Sequence, residues 1–166
     1  MTDDVQEGVR EADELTDEVK YRNVVALAFG GDERRYARFC EVLQRELPEG
    51  TRVVLRGSCV TGCRWRDGAP FDADGPGTSD LDLTLVGDDI LSFYILDGFY
   101  VPGLHSKPLS DKDPDIAPDL VPLRGTLQKM VNRPVNIQGT RDLVMYLRGD
   151  LLGQPYHTMI EKVERR

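Results

Sequence analysis

Apolar and polar positions alternate at two different periods along this chain. From Asp80 to Leu85 the alternation is strict: Asp80, Asp82 and Thr84 on one side, Leu81, Leu83 and Leu85 on the other. A period of two predicts a half-buried strand whose acids share one face. Thr51 to Arg56, with Val53-Val54-Leu55 at its centre, reads as a buried strand, and Val135-Asn136-Ile137-Gln138 as a short alternating one. The helical period appears after Asp32, where Tyr36, Phe39, Cys40, Leu43 and Leu47 are spaced for one face, with Asp32 as N-cap and Pro48-Glu49-Gly50 as the stop. It returns at Leu120, Leu123, Leu127 and Met130, ended by Asn132-Arg133-Pro134. Thr140 is expected to cap a further helix that buries Leu143, Val144 and Leu147.

Other stretches are less regular. Val24 to Phe29 predicts a first strand or buried turn, broken by Gly30-Gly31. A short helix is expected from Ser58, with Val60 and Cys63 inward, and another from Ile90 to Leu96. Trp65 to Thr78 is rich in Gly, Pro and Asp and reads as a loop, either a lid over a ligand or a plain solvent loop. Asp97 to Pro118 reads as irregular, and Asp111-Lys112-Asp113-Pro114-Asp115 as solvated. Residues 1–20 are acidic and poor in apolar side chains, which predicts a disordered tail before a single domain over 21–166.

Composition narrows the function. With 166 residues and ordinary apolar content, one domain with a full core is expected. The formal charge of −8 supplies no basic field for a nucleic-acid track and leaves room for a small-molecule or protein acceptor. Three cysteines, Cys40, Cys59 and Cys63, show no zinc spacing and suit a reduced, cytoplasmic setting. Neither a signal peptide nor a membrane span is expected. His105 and His157 are too far apart in sequence to suggest a metal pair. Asp72-Ala73-Asp74-Gly75 has the start of a calcium loop but lacks its closing acid. Tyr94, Phe99 and Tyr100 are expected in the core rather than as a stacking surface for a base.

Two motifs carry chemistry. A strand ending in Arg56-Gly57-Ser58 and running into a helix puts backbone N–H groups where anions bind. Asp80 and Asp82, ~7 Å apart along one strand by the strand rise, can converge on a divalent ion. A phosphate cradle with a carboxylate pair suits metal-assisted phosphoryl or nucleotidyl transfer. Arg56, Arg64 and Arg66 lie close enough in sequence to steady a triphosphate.

Gly57-Ser58 followed by Ser79-Asp80-Leu81-Asp82-Leu83 resembles the signature of the DNA polymerase β-like nucleotidyltransferases, in their minimal stand-alone form. Leu151-Leu152-Gly153-Gln154-Pro155-Tyr156 resembles the ending of such chains. The resemblance implies an α+β fold, a small mixed sheet flanked by helices (the polymerase β palm-like arrangement). It implies Mg²⁺ or Mn²⁺ as cofactor, an NTP such as ATP as substrate, and transfer of NMP to a small molecule, a protein or an RNA end. Some minimal members act on a partner toxin, so a protein partner or a second copy is a possible holder of the acceptor. Asp80 and Asp82 would be catalytic and metal-binding, and Gly57, Ser58, Arg56 and Arg64 would hold the nucleotide. The family also calls for a third acid on a later strand. Asn136 stands at that position, with Asp142 as an alternative acid. An amide can coordinate Mg²⁺ but is no base. The competing expectation is therefore a depleted nucleotidyltransferase fold that binds nucleotide or a protein partner without turnover.

Overall fold

The structure, a computed structural model, describes residues 15–64, 66–144 and 154–165. Among them, six strands make one mixed sheet with helices packed against it. Two helices come first. Helix α1 (Asp17–Ala28) is capped by Thr16, whose side chain accepts from the Val19 N–H, and buries Val24, Val25 and Ala28. Val24 to Phe29 is therefore not a strand. Those three residues fall on one helical face, and the preceding residues extend that helix. Asp17 to Lys20, expected in a disordered tail over 1–20, instead form the first turn of α1; residues 1–14 lie outside the described residues. Gly30 and Gly31 stop the helix at φ +63° and +78°. Helix α2 (Glu33–Glu46) follows, with Asp32 accepting from the N–H groups of Arg34 and Arg35 as the expected N-cap.

Strand β1 (Arg52–Arg56) delivers the chain to a single helical turn, α3 (Ser58–Thr61). Val60 is buried there, but Cys63 is exposed, because the helix ends at Gly62 in a left-handed conformation and turns Cys63 away. Strand β2 (Leu81–Val86) is antiparallel to β1 and parallel to β5 (Val135–Thr140). Between them lie a 3₁₀ segment (Asp89–Phe93) in place of the longer helix expected at 90–96, strands β3 (Phe99–Val101) and β4 (His105–Ser106) inside the stretch expected to be irregular, and helix α4 (Val121–Val131). Asn132 closes α4 at φ +52°. Thr140 belongs to β5 rather than capping a helix; Asp142 accepts from the Val144 N–H instead, and Leu147 lies outside the described residues. Strand β6 (Tyr156–Ile160), absent from the sequence reading, pairs antiparallel with β1.

The strand order is β3-β4-β5-β2-β1-β6. One sheet face carries Val53, Leu55, Leu81, Leu83, Leu85, Val135 and Ile137, all fully buried against Phe29, Phe39, Leu43, Leu47 and Leu127 of the helical layer. Burial of this apolar surface is the main favourable term in folding. The other face is polar, bearing Arg56, Asp82, Thr84, Asn136 and Gln138. Among the described residues, no helix is long and apolar enough to cross a membrane.

Candidate functional site

Register fixes the heart of the polar face. Asp82 on β2 lies beside Asn136 on parallel β5 and beside Arg56 on antiparallel β1. Residues paired this way point to the same side of a sheet. Asp80, two residues before Asp82, joins them just outside the strand. The Asn136 side-chain nitrogen donates to both acids, 3.1 Å from Asp80 Oδ2 and 3.0 Å from Asp82 Oδ1. Two carboxylates thus converge on one nitrogen. Burial raises the Asp80 pKa from the ordinary aspartate value; the hydrogen bond from Asn136 works against this and the neighbouring Asp82 charge adds to it.

The turn at Gly57 faces this cluster. Its φ of +92° belongs to the region that glycine tolerates, and a Cβ there would stand 3.1 Å from Asp82 Oδ2. Glycine is required both by the turn and by the closeness of the acid. Gly57, Ser58, Asp80 and Asp82 line a cleft of about 310 Å³, together with Arg64, Arg66 and Gln154. The sequence-predicted residues Gly57, Ser58, Asp80, Asp82 and Asn136 are therefore brought together. The helical turn behind Ser58 is only four residues long, so it adds little dipole to any anion held at Gly57-Ser58.

The arginines are placed differently from expectation. Arg56 sends its guanidinium along the sheet, donating to Gln138 Oε1 at 2.8 Å and to Thr84 Oγ1 at 3.4 Å. It braces the floor of the site. Arg64 borders the cleft but is ion-paired with Asp67 at 3.2 Å and Asp74 at 3.0 Å. Asp142 lies beyond the far end of β5 from Asn136 and cannot serve as a third acid there. Among the described residues, no group of three His, Cys, Asp or Glu side chains is arranged to hold a metal ion.

No family model, curated protein or solved structure matches this chain. The geometry of its own residues carries the functional reading.

Two arginines that sequence reasoning passed over frame the site. Arg133 forms a two-pronged pair with Asp72, at 2.8 and 3.1 Å, donates to the Ser79 carbonyl at 2.9 Å, and lies 4.5 Å from the centre of the Phe71 ring. Asp72 also accepts from the Ser79 and Gly77 N–H groups. The Arg133 hydrogen bonds, with those backbone donors, hold the Asp72 carboxyl at about 2. Four donors thus occupy the Asp72 carboxylate, which ties it to Arg133 and the 77–79 backbone rather than to a calcium ion at 72–75. The segment read as lid or solvent loop is instead strapped to the residue preceding Asp80, and Asp74, Thr78 and Ser79 form one wall of the cleft. Arg124 is buried, donating to the Val135 carbonyl at 2.7 Å and to Asp111 at 2.9 Å. Its position inside the apolar stripe of α4, between Leu120 and Leu127, is the signal that marks it. Arg133 gave none, since Asn132-Arg133-Pro134 reads simply as a helix stop.

Proposed function

We propose that this chain is a nucleotidyltransferase of polymerase β palm-like fold, taking up an NTP with Mg²⁺ or Mn²⁺ in the cleft and passing NMP to an acceptor. The observation that carries the reading is the convergence of Asp80 Oδ2 and Asp82 Oδ1 on one point beside the Gly57 turn. A point that attracts an N–H donor from two carboxylates also suits a cation, so the donor set fits a divalent ion. Rotating the Asn136 amide by half a turn replaces its donor with an acceptor oxygen at the same place. Bound there, Mg²⁺ would neutralise triphosphate charge and align the α-phosphorus for attack. Asp80 and Asp82 hold the ion; Gly57 lets phosphate approach the backbone; Ser58 offers its hydroxyl. Arg66, exposed at the rim, is placed to meet phosphate oxygens, and Arg64 does so by exchanging its pairing with Asp67 and Asp74. The acceptor is a small molecule, a protein (a toxin-like partner included) or an RNA end.

One observation favours a second reading. Asn136 contributes no charge and cannot act as a base, so the same cleft would retain Mg²⁺–NTP with little turnover. Incubation of the full chain with α-labelled NTPs, Mg²⁺ or Mn²⁺ and a cell lysate separates the two. Label transfer lost in Asp80→Ala and Asp82→Ala supports the enzyme. Metal-dependent NTP binding without transfer supports the binder. Absence of both in the wild type removes either reading.

A further inference from the structure

A second polar cavity, of about 330 Å³, lies where the start of α1 meets β1 and β6. Two cations border it, Lys20 of α1 and Arg52 of β1, and both approach the Tyr156 ring, at 5.8 and 5.7 Å from its centre. Neither is well satisfied. The Lys20 side chain is only 18% exposed, yet its ion pair with Asp17 is at 3.9 Å and Asp17 itself stands fully in solvent. Arg52 donates one bond to Thr158 Oγ1 at 3.0 Å, but its Nε is buried with no hydrogen-bond partner. Glu161 approaches that Nε only to 3.8 Å, outside hydrogen-bond reach, and its side chain is 84% exposed. A buried guanidinium nitrogen without an acceptor is costly, and two half-desolvated cations on one ring repel each other. An anion entering the cavity offsets the repulsion between the two cations and offers them a stronger partner than two acids that are held only loosely.

We propose that the cavity bordered by Lys20, Arg52 and Tyr156 binds a phosphate group, free or carried as a small phosphomonoester. Arg52 supplies a guanidinium, Lys20 a second positive charge, and Thr158 a hydroxyl on the same sheet face. This site is separate from the acidic cleft. Arg52 and Arg56 project from the same face of β1 four residues apart, ~13 Å by the strand rise. Phosphate binding here is independent of nucleotidyl transfer in the acidic cleft, with which this cavity shares no lining residue.

The test is titration of the ¹⁵N-labelled full chain with inorganic phosphate, and in parallel with ribose 5-phosphate, against chloride at matched ionic strength. Saturable amide shifts centred on Lys20, His157 and Thr158 are expected. A tighter response to ribose 5-phosphate assigns the site to a monoester, and an equal or tighter response to phosphate assigns it to the free anion. Arg52→Gln and Lys20→Gln should each weaken binding at least about tenfold, the scale of a charge-assisted hydrogen bond. Lys129→Gln, on the exposed side of α4, should leave it unchanged. Shifts centred on Gly57 and Ser58, binding that survives both cavity variants, or no saturable response to either anion would overturn the proposal. If a cavity variant does not fold, the map of wild-type shifts decides alone.

Discussion

Asn136 sits between two carboxylates and ties them together with its amide hydrogens. Replacing it with aspartate removes both hydrogen bonds and adds a third negative charge at the same spot. Asn136→Asp should therefore lower the stability of the metal-free protein by about 1–2 kcal/mol. Added Mg²⁺ should restore its melting temperature by more than it raises that of the wild type. Under the proposed function, NMP transfer should rise as well; a variant as stable as wild type without metal would mean that the two acids do not share this point. Gly57→Ala tests the opposite wall. It forces a side chain into φ +92° and to within 3.1 Å of Asp82 Oδ2. A loss of ~1–3 kcal/mol in denaturant unfolding is expected, together with weaker metal-dependent nucleotide binding. These residues were legible beforehand because strict alternation put Asp80 and Asp82 on one face and an adjacent strand put Asn136 beside them. What periodicity could not show was direction. Arg56 shares that face, but only the neighbouring strands reveal that its guanidinium runs to Gln138.

The segment before β2 illustrates how elements constrain one another. Its Gly, Pro and Asp content announced turns, and turns they are, but composition says nothing of what a turn is fastened to. Arg133, at the far end of α4, reaches back 61 positions to Asp72 and also binds the carbonyl beside Asp80. Asp72 has a pKa of about 2 when folded, below the ordinary aspartate value it regains on unfolding. The depressed carboxyl contributes stability that is complete above about pH 4 and is lost as pH falls toward 2, a contribution of about 2 kcal/mol. Unfolding free energies measured between pH 6 and pH 2 should show this fall, and Asp72→Asn should flatten it while destabilising the protein at neutral pH. An undiminished acid dependence in that variant would place the titrating group elsewhere. Similar blindness affected α1, where a β-branched pair suggested a strand. Val24, Val25 and Ala28 settle as a helical stripe because they meet the rest of the core together. Strands β3 and β4, of three and two residues, are too short for any alternation to register.

At the scale of the molecule, one apolar layer separates the helices from a sheet face that is polar yet largely enclosed: Thr84 and Thr140 are fully buried and Gln138 nearly so. Such a face holds only if its polar atoms are paired, as Gln138 is with Arg56 and the Ser106 carbonyl. Close packing extends to the sheet's other side. A Cβ at Gly139 would come within 2.8 Å of Ile90 and 2.9 Å of Tyr94. Gly139→Ala should cost about 1–3 kcal/mol by overpacking, seen as a lower thermal midpoint without change in the site's metal response. The placement of β6 was the least legible part of the fold, since its partner is β1 and nothing nearby in sequence advertises the match. Arg56 and Tyr156 sit side by side across an interval of about a hundred residues. During synthesis, β1 therefore leaves the ribosome long before the strand that will shield its outer edge has been made. Until then the nascent chain presents a naked row of backbone donors and acceptors, so its maturation should be slow and should lean on chaperones in crowded conditions.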